Sequence, residues 1–364
     1  MPAPLPPEPA LDLAGERQLL LERALLACGR LDGVSALLPD PDLFLYAYIR
    51  REAVLSSQIE GTQSSLSDLL LFELDEAPGV PFDDVVEVSN YVSALEHGMA
   101  RLREGFPLSN RLLREVHGKL LARGRGAEKS PGEFRSSQNW IGGTRPANAQ
   151  FVPPPPSQVE DCMAELERFI HGDHPLPSLV KAGLAHVQFE TIHPFLDGNG
   201  RVGRLLISLM LHDAHVLRQP LLYLSLYFKQ HRADYYRLLD AVRREGDWEA
   251  WLEFFLAGVA QTASAAVETA HRLLELFASD EQALVKAPGS SASVMRVFNA
   301  LRAKPLATIN DLGARAAVSF PTAAKAVEVL ATAGVVRELT GGRRNRIFAY
   351  DRYLAVLNEG TEPL

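Results

Sequence analysis

Cysteine is scarce in this chain. Cys28 and Cys162 are the only two in 364 residues. That excludes a disulfide framework and a thiolate metal cluster, and makes a reduced, cytoplasmic setting the simplest expectation. Uninterrupted apolar runs long enough to cross a bilayer are also missing, so no membrane partner is expected. The opening Met1-Pro2-Ala3-Pro4-Leu5-Pro6-Pro7 lacks the basic and apolar regions of a signal peptide. Basic charge is in deficit. Lys and Arg number 37 against 45 Asp and Glu, a net charge of −8, so the molecule as a whole is not built to hold nucleic acid. What remains is ordinary globular composition, with 47% apolar residues and length enough for two or three domains.

One stretch concentrates chemistry: His193-Pro194-Phe195-Leu196-Asp197-Gly198-Asn199-Gly200-Arg201-Val202-Gly203-Arg204. Gly198-Asn199-Gly200 can turn tightly and aim successive backbone N–H groups at one point, an anion-binding nest. The apolar run from Leu205 to Met210 follows at once, so a helix is expected from about Arg201. Its positive dipole end would add to the nest. Arg201 and Arg204 lie three apart and share a side, as two phosphate clamps would. Asp197 is a hard oxygen ligand suited to Mg2+ beside phosphates. His193, closing the preceding helix, can act as a base near neutral pH. A polar turn with a core histidine is the bland alternative. It fits a lone His better than it fits the assembled set.

This stretch resembles the signature of the Fic family, H-P-F-x-D-G-N-G-R-x-x-R, at all nine specified positions. Chance agreement is on the order of 10^-9 at about 1 in 20 per position, which decides against the bland turn. A second segment, Ser56-Ser57-Gln58-Ile59-Glu60-Gly61, resembles the Fic inhibitory motif [S/T]-x-x-x-E-[G/N]. Ser56 and Glu60 are four apart on one helix face. The resemblance implies that Glu60 pairs with Arg204. A guanidinium fork filled by a carboxylate cannot also hold a γ-phosphate. Position before the core resembles the Fic subclass with an N-terminal inhibitory helix.

The resemblance implies a mainly α fold. A Fic-fold helical core would carry a short β-hairpin flap, and a C-terminal winged helix-turn-helix domain would follow. Four regions are expected: 1–80 with the inhibitory helix, 81–260 as catalytic core, 261–289 as connecting helix and linker, and 290–364 as winged-helix-like domain. Residues 1–10 are Pro-rich and expected to be disordered. Helical periodicity marks 11–31, then a helix capped by Asp40 with Pro41 inside it, running to about Gly61. A short helix over 62–80 ends at Pro78-Gly79. Further helices are expected over 83–103, 111–122, 159–171, 178–193 (capped by Ser178), 201–211, 247–259 and 260–278.

Between Gly124 and Pro156 glycine and proline break the helical pattern. Gln138–Ile141 and Ala149–Val152 read as two strand pieces of a hairpin, either a plain surface hairpin or the Fic flap. The run from Gly132 to Gly143 resembles other bacterial Fic proteins and favours the flap, which registers an extended target segment by backbone pairing. Lys229-Gln230-His231-Arg232 and Tyr235-Tyr236 resemble the family segment that borders the nucleotide base. There Gln230 would bind adenine or ribose, and either tyrosine would pack nearby or simply belong to an amphipathic helix.

Ala287 to Ser291 reads as a linker. Helices over 293–302, 308–316 and 321–333 and a hairpin around Gly341-Gly342 follow. Residues 290–364 hold ten Lys and Arg against six Asp and Glu, a local balance of +4. Arg343, Arg344 and Arg346 would meet phosphates at the wing if this module binds DNA. The third helix offers few base-reading side chains, chiefly Thr322 and Lys325, so docking or dimerisation stands slightly ahead of DNA binding.

The implied activity is transfer of AMP from ATP to a Ser, Thr or Tyr hydroxyl of a protein, the chain itself included. His193 would be the base and Asp197 the Mg2+ ligand. Gly198, Asn199 and Gly200, with Val202 and Gly203 behind them, would frame the triphosphate. Arg201 and Arg204 would hold the β- and γ-phosphates, and Glu60 would be the brake. Three alternatives stand beside it. A kinase-like branch carries Ala-Asn-Lys where this chain has Gly198-Asn199-Gly200, so the glycines argue against it. Removal of AMP would use a water oriented by Glu60. A DNA-binding regulator would act through residues 290–360.

Overall fold

Apolar residues at spacings of three and four bury one face of each helix in turn. The computed structural model describes residues 1–37, 41–74, 81–341 and 346–362, with backbone alone at 36–37 and 41–44. Asp40, Pro78-Gly79, Gly342, Arg343 and Arg344 therefore lie outside the described residues. Among those described, the chain runs through α1 (Glu16–Leu37), α2 (Pro41–Ile59), α3 (Leu66–Phe72), α4 (Phe82–Arg103) and α5 (Asn110–Leu120). Then come α6 (Val159–His171), α7 (Ser178–Ile192), α8 (Asn199–Asp213), α9 (Ser225–Gln230), α10 (Arg232–Glu245) and α11 (Trp248–Lys286). The helix expected over 62–80 shortens to α3, which starts at a capping box of Ser65 and Asp68.

The centre of the bundle is the pair α7 and α8, joined by the His193 to Gly198 turn. α7 is buried nearly all round, so its sequence is apolar with few charges. Trp251 of α11 is fully buried and donates its indole N–H to the Gly183 carbonyl of α7 at 2.9 Å. α4 and α5 cover one side of α8, and α2 crosses α4 and α9, bringing its C-terminal end to the start of α8. Cys28 and Cys162 are both free and buried.

Several expectations are corrected. The helices expected over 247–259 and 260–278 are one, α11, of 39 residues. No proline interrupts it, and Gly258 sits mid-helix against the Tyr227 ring. By length and composition α11 passes as a candidate membrane span, contrary to the sequence expectation. It packs along α1 and against α7, so burial in the bundle accounts for its apolar face. Residues 1–10 are placed rather than left loose: Gln188 of α7 donates to the Ala3 carbonyl at 2.7 Å. Ser178 does not cap α7. Pro177 holds the cap position, and no side-chain cap bond forms. The expected hairpin between 138 and 152 reduces to one antiparallel bridge, Ile141 with Phe151. Gly142 and Gly143 turn left-handed, and a 3-10 turn at Pro146–Asn148 follows, so no ladder extends.

Beyond the Ala287 to Ser291 connection lie α12 (Ala292–Ala303), β1 (Leu306–Thr308), α13 (Ile309–Arg315) and α14 (Phe320–Thr332). β2 (Arg337–Glu338), β3 (Ile347–Ala349) and α15 (Asp351–Asn358) complete the chain. The sheet order is β1-β3-β2, all antiparallel, with Leu306 and Arg337 both opposite Ala349. Thr308 caps α13 through a box with Asp311. α12 and α15 pack on α2 and α11, so this module rests on the bundle.

Candidate active site

His193 closes α7 in the left-handed region, at φ 50 and ψ 60. A non-glycine residue there costs about 1–2 kcal/mol and persists only when its surroundings hold it. The holders are visible. The His193 carbonyl accepts from Arg135 Nε at 2.9 Å and from Asn139 Nδ2 at 3.2 Å. Arg135 is buried and also donates to the Pro154 and Ile192 carbonyls, at 2.6 and 3.3 Å. Phe195 is fully buried and stacks on His117, with centroids 3.7 Å apart. A carbonyl can only accept, so His117 donates from Nε2 to the Asp197 carbonyl at 3.1 Å. Its Nδ1 accepts from the Gly132 amide at 2.8 Å. These contacts fix the turn from both ends.

Gly198 takes φ +75 at the N-cap of α8, where a side chain would be strained. The amides of Asn199, Gly200 and Arg201 fall in the first turn, with no carbonyl one turn back to receive them. They form an anion seat at the positive end of the helix. The Gly198 amide is spent on Asp197 Oδ1 at 2.6 Å, and that of Val202 on the Gly198 carbonyl at 3.0 Å. Val202 is fully buried core, and Gly203 gives its carbonyl to His186 Nδ1 at 2.9 Å. Asn199 does not address phosphates with its side chain. Its Oδ1 and Nδ2 staple the Phe195 amide and carbonyl, each at 2.8 Å.

Arg204 is buried in the expected pairing. Its Nη2 donates to Glu60 Oε1 at 2.8 Å, and its Nε and Nη2 bind Ser56 Oγ and the Ser56 carbonyl at 2.8 and 2.9 Å. Burial alone would raise the Glu60 carboxyl, but Arg204, Arg201 and His193 hold it below the usual range. Arg201 is paired with carboxylates of α4 and of the turn. Its Nη1 lies 2.8 Å from Glu87 Oε1 of α4, and its Nη2 3.5 Å from Asp197 Oδ1. Gln230 is exposed at the end of α9 and does not line the cleft. The neighbouring Lys229 turns inward instead.

A cleft of about 340 Å³ is lined by Glu60, His193, Gly200 and Arg204, by Trp140, Ile141 and Gln150 of the flap, and by Glu190, Tyr235, Tyr236, Leu239 and Arg243. Tyr235 is core: fully buried, it donates its hydroxyl to His186 Nε2 at 2.9 Å. Tyr236 is half-exposed and presents its ring at the cleft. His193 is held down to about 4 by burial, then by Arg243, so its ring is neutral at pH 7. Glu190 is pushed up to about 7 by burial, against the pull of Arg204 and Arg243.

Sequence reasoning missed Glu87, His117, Arg135, Glu190 and Arg243. Glu190 and His186 carried a signal, since they precede His193 by three and seven residues on one helix face. Arg135 and Arg243 carried none, because distant segments bring them in. Among the described residues, no group of three or more acidic, His or Cys side chains gathers as a metal cage. Asp197 suits the lighter demand of Mg2+, which takes one or two carboxylates plus substrate oxygens and water. Its Oδ1 is engaged, and its Oδ2 accepts no hydrogen bond among the described residues.

A turn that leaves helix-start amides free beside a buried histidine, on a mainly helical frame, is the class this geometry defines. The chain belongs to the Fic/DOC family. The Fic/DOC N-terminal model matches residues 18–100 and the Fic/DOC model residues 107–211, together just over half the chain. The first ends at Ala100, within α4. The chain is 30% identical over 178 residues to Protein adenylyltransferase Fic of Drosophila melanogaster, covering 48% of this chain and 33% of that protein. The Drosophila yakuba protein of the same name is 31% identical over the same shares. The chain thus spans about a third of the length of these relatives. A Fic family protein from Desulfovibrio desulfuricans G20 superposes with a TM-score of 0.60 at 20% identity, covering 96% of this chain and 98% of that one. Fic-1 from C. elegans gives 0.56 at 21%, over 70% and 72%. Both share the fold.

Proposed function

We propose that this chain is a protein adenylyltransferase, braked by its own Glu60. One observation carries the reading: His193, Gly200, Arg204 and Glu60 line a single cleft at the N-terminus of α8. The amides of Asn199, Gly200 and Arg201 would bind phosphate oxygens of ATP, and Tyr236 would lie against the base or ribose. A hydroxyl of a Ser, Thr or Tyr in the target attacks the α-phosphorus. The bond from that phosphorus to the bridging oxygen breaks, and pyrophosphate leaves. His193 takes the hydroxyl proton, for which a neutral imidazole is ready at pH 7. Mg2+, when bound at Asp197, would neutralise phosphate charge. Positioning and fixed dipoles supply most of the acceleration in such a transfer.

The brake follows from the Arg204 pairing. While Glu60 holds that fork, a γ-phosphate has no cationic partner there. The flap residues Trp140 and Ile141 border the same cleft, which suits an extended target segment laid beside it. The C-terminal module is a weaker candidate for DNA. Arg346 is committed to Glu338 at 2.6 Å, and Thr322 bonds Ser319 at 2.9 Å.

The test compares ATP labelled at the α- and γ-phosphates, using wild type, Glu60→Gly and Glu60→Gly/His193→Ala, with cell lysate as target. Protein should take up α-label strongly with Glu60→Gly and not with the double variant. Uptake of γ-label, or equal α-uptake by wild type and Glu60→Gly, overturns the proposal. Release of AMP from a labelled target without ATP would instead point to the reverse hydrolysis.

A further inference from the structure

The last turn of α2, which carries Glu60, is tied to the far end of the chain. Gln58 is buried two residues before Glu60, and its Nε2 donates to the Thr361 carbonyl at 2.8 Å and to the Ser64 carbonyl at 2.9 Å. Lys229 Nζ donates to Gln58 Oε1 at 2.7 Å and to the Gly360 carbonyl at 3.3 Å, and also reaches the Glu362 carbonyl. The tail is anchored one residue earlier. Arg272 holds the Glu359 carboxylate through two bonds of 2.7 and 2.5 Å, and Arg51 of α2 donates to the Glu359 carbonyl at 2.6 Å. Neither Gln58 nor Lys229 lines the cleft. Their buried polar atoms are satisfied by a segment 303 positions from Gln58 and 131 to 133 positions from Lys229.

We infer that residues 359–362 form a latch on the braking turn, so that the C-terminal module sets how readily Glu60 leaves Arg204. The inference rests on Glu60 being a brake. Glu60 sits on the 57–61 turn, so its carboxylate is kept away from Arg204 most readily when that turn shifts, and a shift must break Gln58 from the tail or carry the tail with it. With the tail in place, the braked arrangement has extra bonds that the released one loses. Anything that lifts the tail moves the balance toward the released state, a coupling between two separate sites.

The test has two variants and two readouts. One variant ends the chain after Asn358. The other, Lys229→Met, keeps side-chain length but removes the ammonium between Gln58 and the tail. The first readout is hydrogen exchange at the amides of Glu60, Gly61 and Thr62, which donate to the Ser57 and Gln58 carbonyls. The second is α-label transfer at limiting ATP. Both variants should exchange at least tenfold faster there, and both should transfer several-fold more label. Neither change should add to Glu60→Gly. Unchanged exchange in both variants overturns the latch. Faster exchange with wild-type label transfer, while Glu60→Gly labels strongly, overturns its regulatory role. Faster exchange with no transfer even by Glu60→Gly supports the latch and overturns the adenylyltransferase reading instead.

Discussion

Gly200 lies so close to Glu60 that a Cβ added to it would come within 2.3 Å of the Glu60 Oε1 and 3.1 Å of the Arg204 Nη1. The Glu60 carboxylate and the free amides at the start of α8 thus share one volume. Because the obstructing atom ends a flexible side chain, Gly200→Ala should fold, with the carboxylate swung aside. The added methyl would then stand where phosphate oxygens approach the amides. In the Glu60→Gly background, Gly200→Ala should lower label transfer about 100-fold, the scale of losing one preorganised donor. Transfer within threefold of the parent would show that phosphates do not use this seat.

Removing Glu60 should cost stability while it raises activity. Arg204 has a side chain 2% exposed and would lose its only carboxylate partner among the described residues. A charged hydrogen bond left unmade in a buried place costs about 1.5–3 kcal/mol. Melting of Glu60→Gly should fall by several degrees without nucleotide and recover with magnesium and ATP, which supply a new partner and stabilise by mass action. A melting point equal to wild type in both conditions would contradict the pairing.

The acid side of the rate profile follows from His193. Burial, then Arg243, moves its proton loss down to about 4, while Glu60 acts the other way. A base with a depressed value stays neutral, hence competent, until pH falls through that value. Glu60→Gly removes an opposing negative charge, so the value moves further down. For this variant kcat/KM should show no inflection near 6.5 and should lose activity only well below pH 5. NMR of the His193 ring checks the same claim; a ring titrating near 6.5 would refute it.

Asp197 offers a fourth test. The proposed magnesium role predicts that a chelator abolishes transfer, and that Asp197→Asn lowers it by at least tenfold at fixed magnesium, with partial recovery as magnesium rises. His117 should still hold the turn, since it bonds the Asp197 backbone carbonyl and not the carboxylate. A melting curve like the parent's would separate lost metal from lost fold. Full transfer without divalent cation would remove Asp197 from the mechanism.

Much of this was legible in the residues. The nine-position signature gave His193, Asp197 and the helix start, because loop chemistry and the apolar run after it are local in sequence. The Glu60 to Arg204 contact was legible too, through a short segment on one helix face. The surroundings of Arg201 and Gln230 were not legible, for a shared reason. Which way a side chain points depends on the neighbour it finds, and Glu87 of α4 claims Arg201 while Lys229 turns inward in place of Gln230. The two helices expected over 247–278 fused because no local stop signal divides them.

The sequence by itself determined that the chain is mainly helical, where the turn between α7 and α8 falls, and which histidine stands beside it. These depend on backbone geometry and on residues within a few positions of one another. Tertiary structure alone decided that Arg135 and Asn139 hold the strained His193 carbonyl and that the C-terminal tail reaches Gln58. Such contacts join residues tens to hundreds of positions apart. They arise only when packing of apolar faces brings unmatched donors and carbonyls within hydrogen-bond reach, and no periodicity in the chain records that meeting.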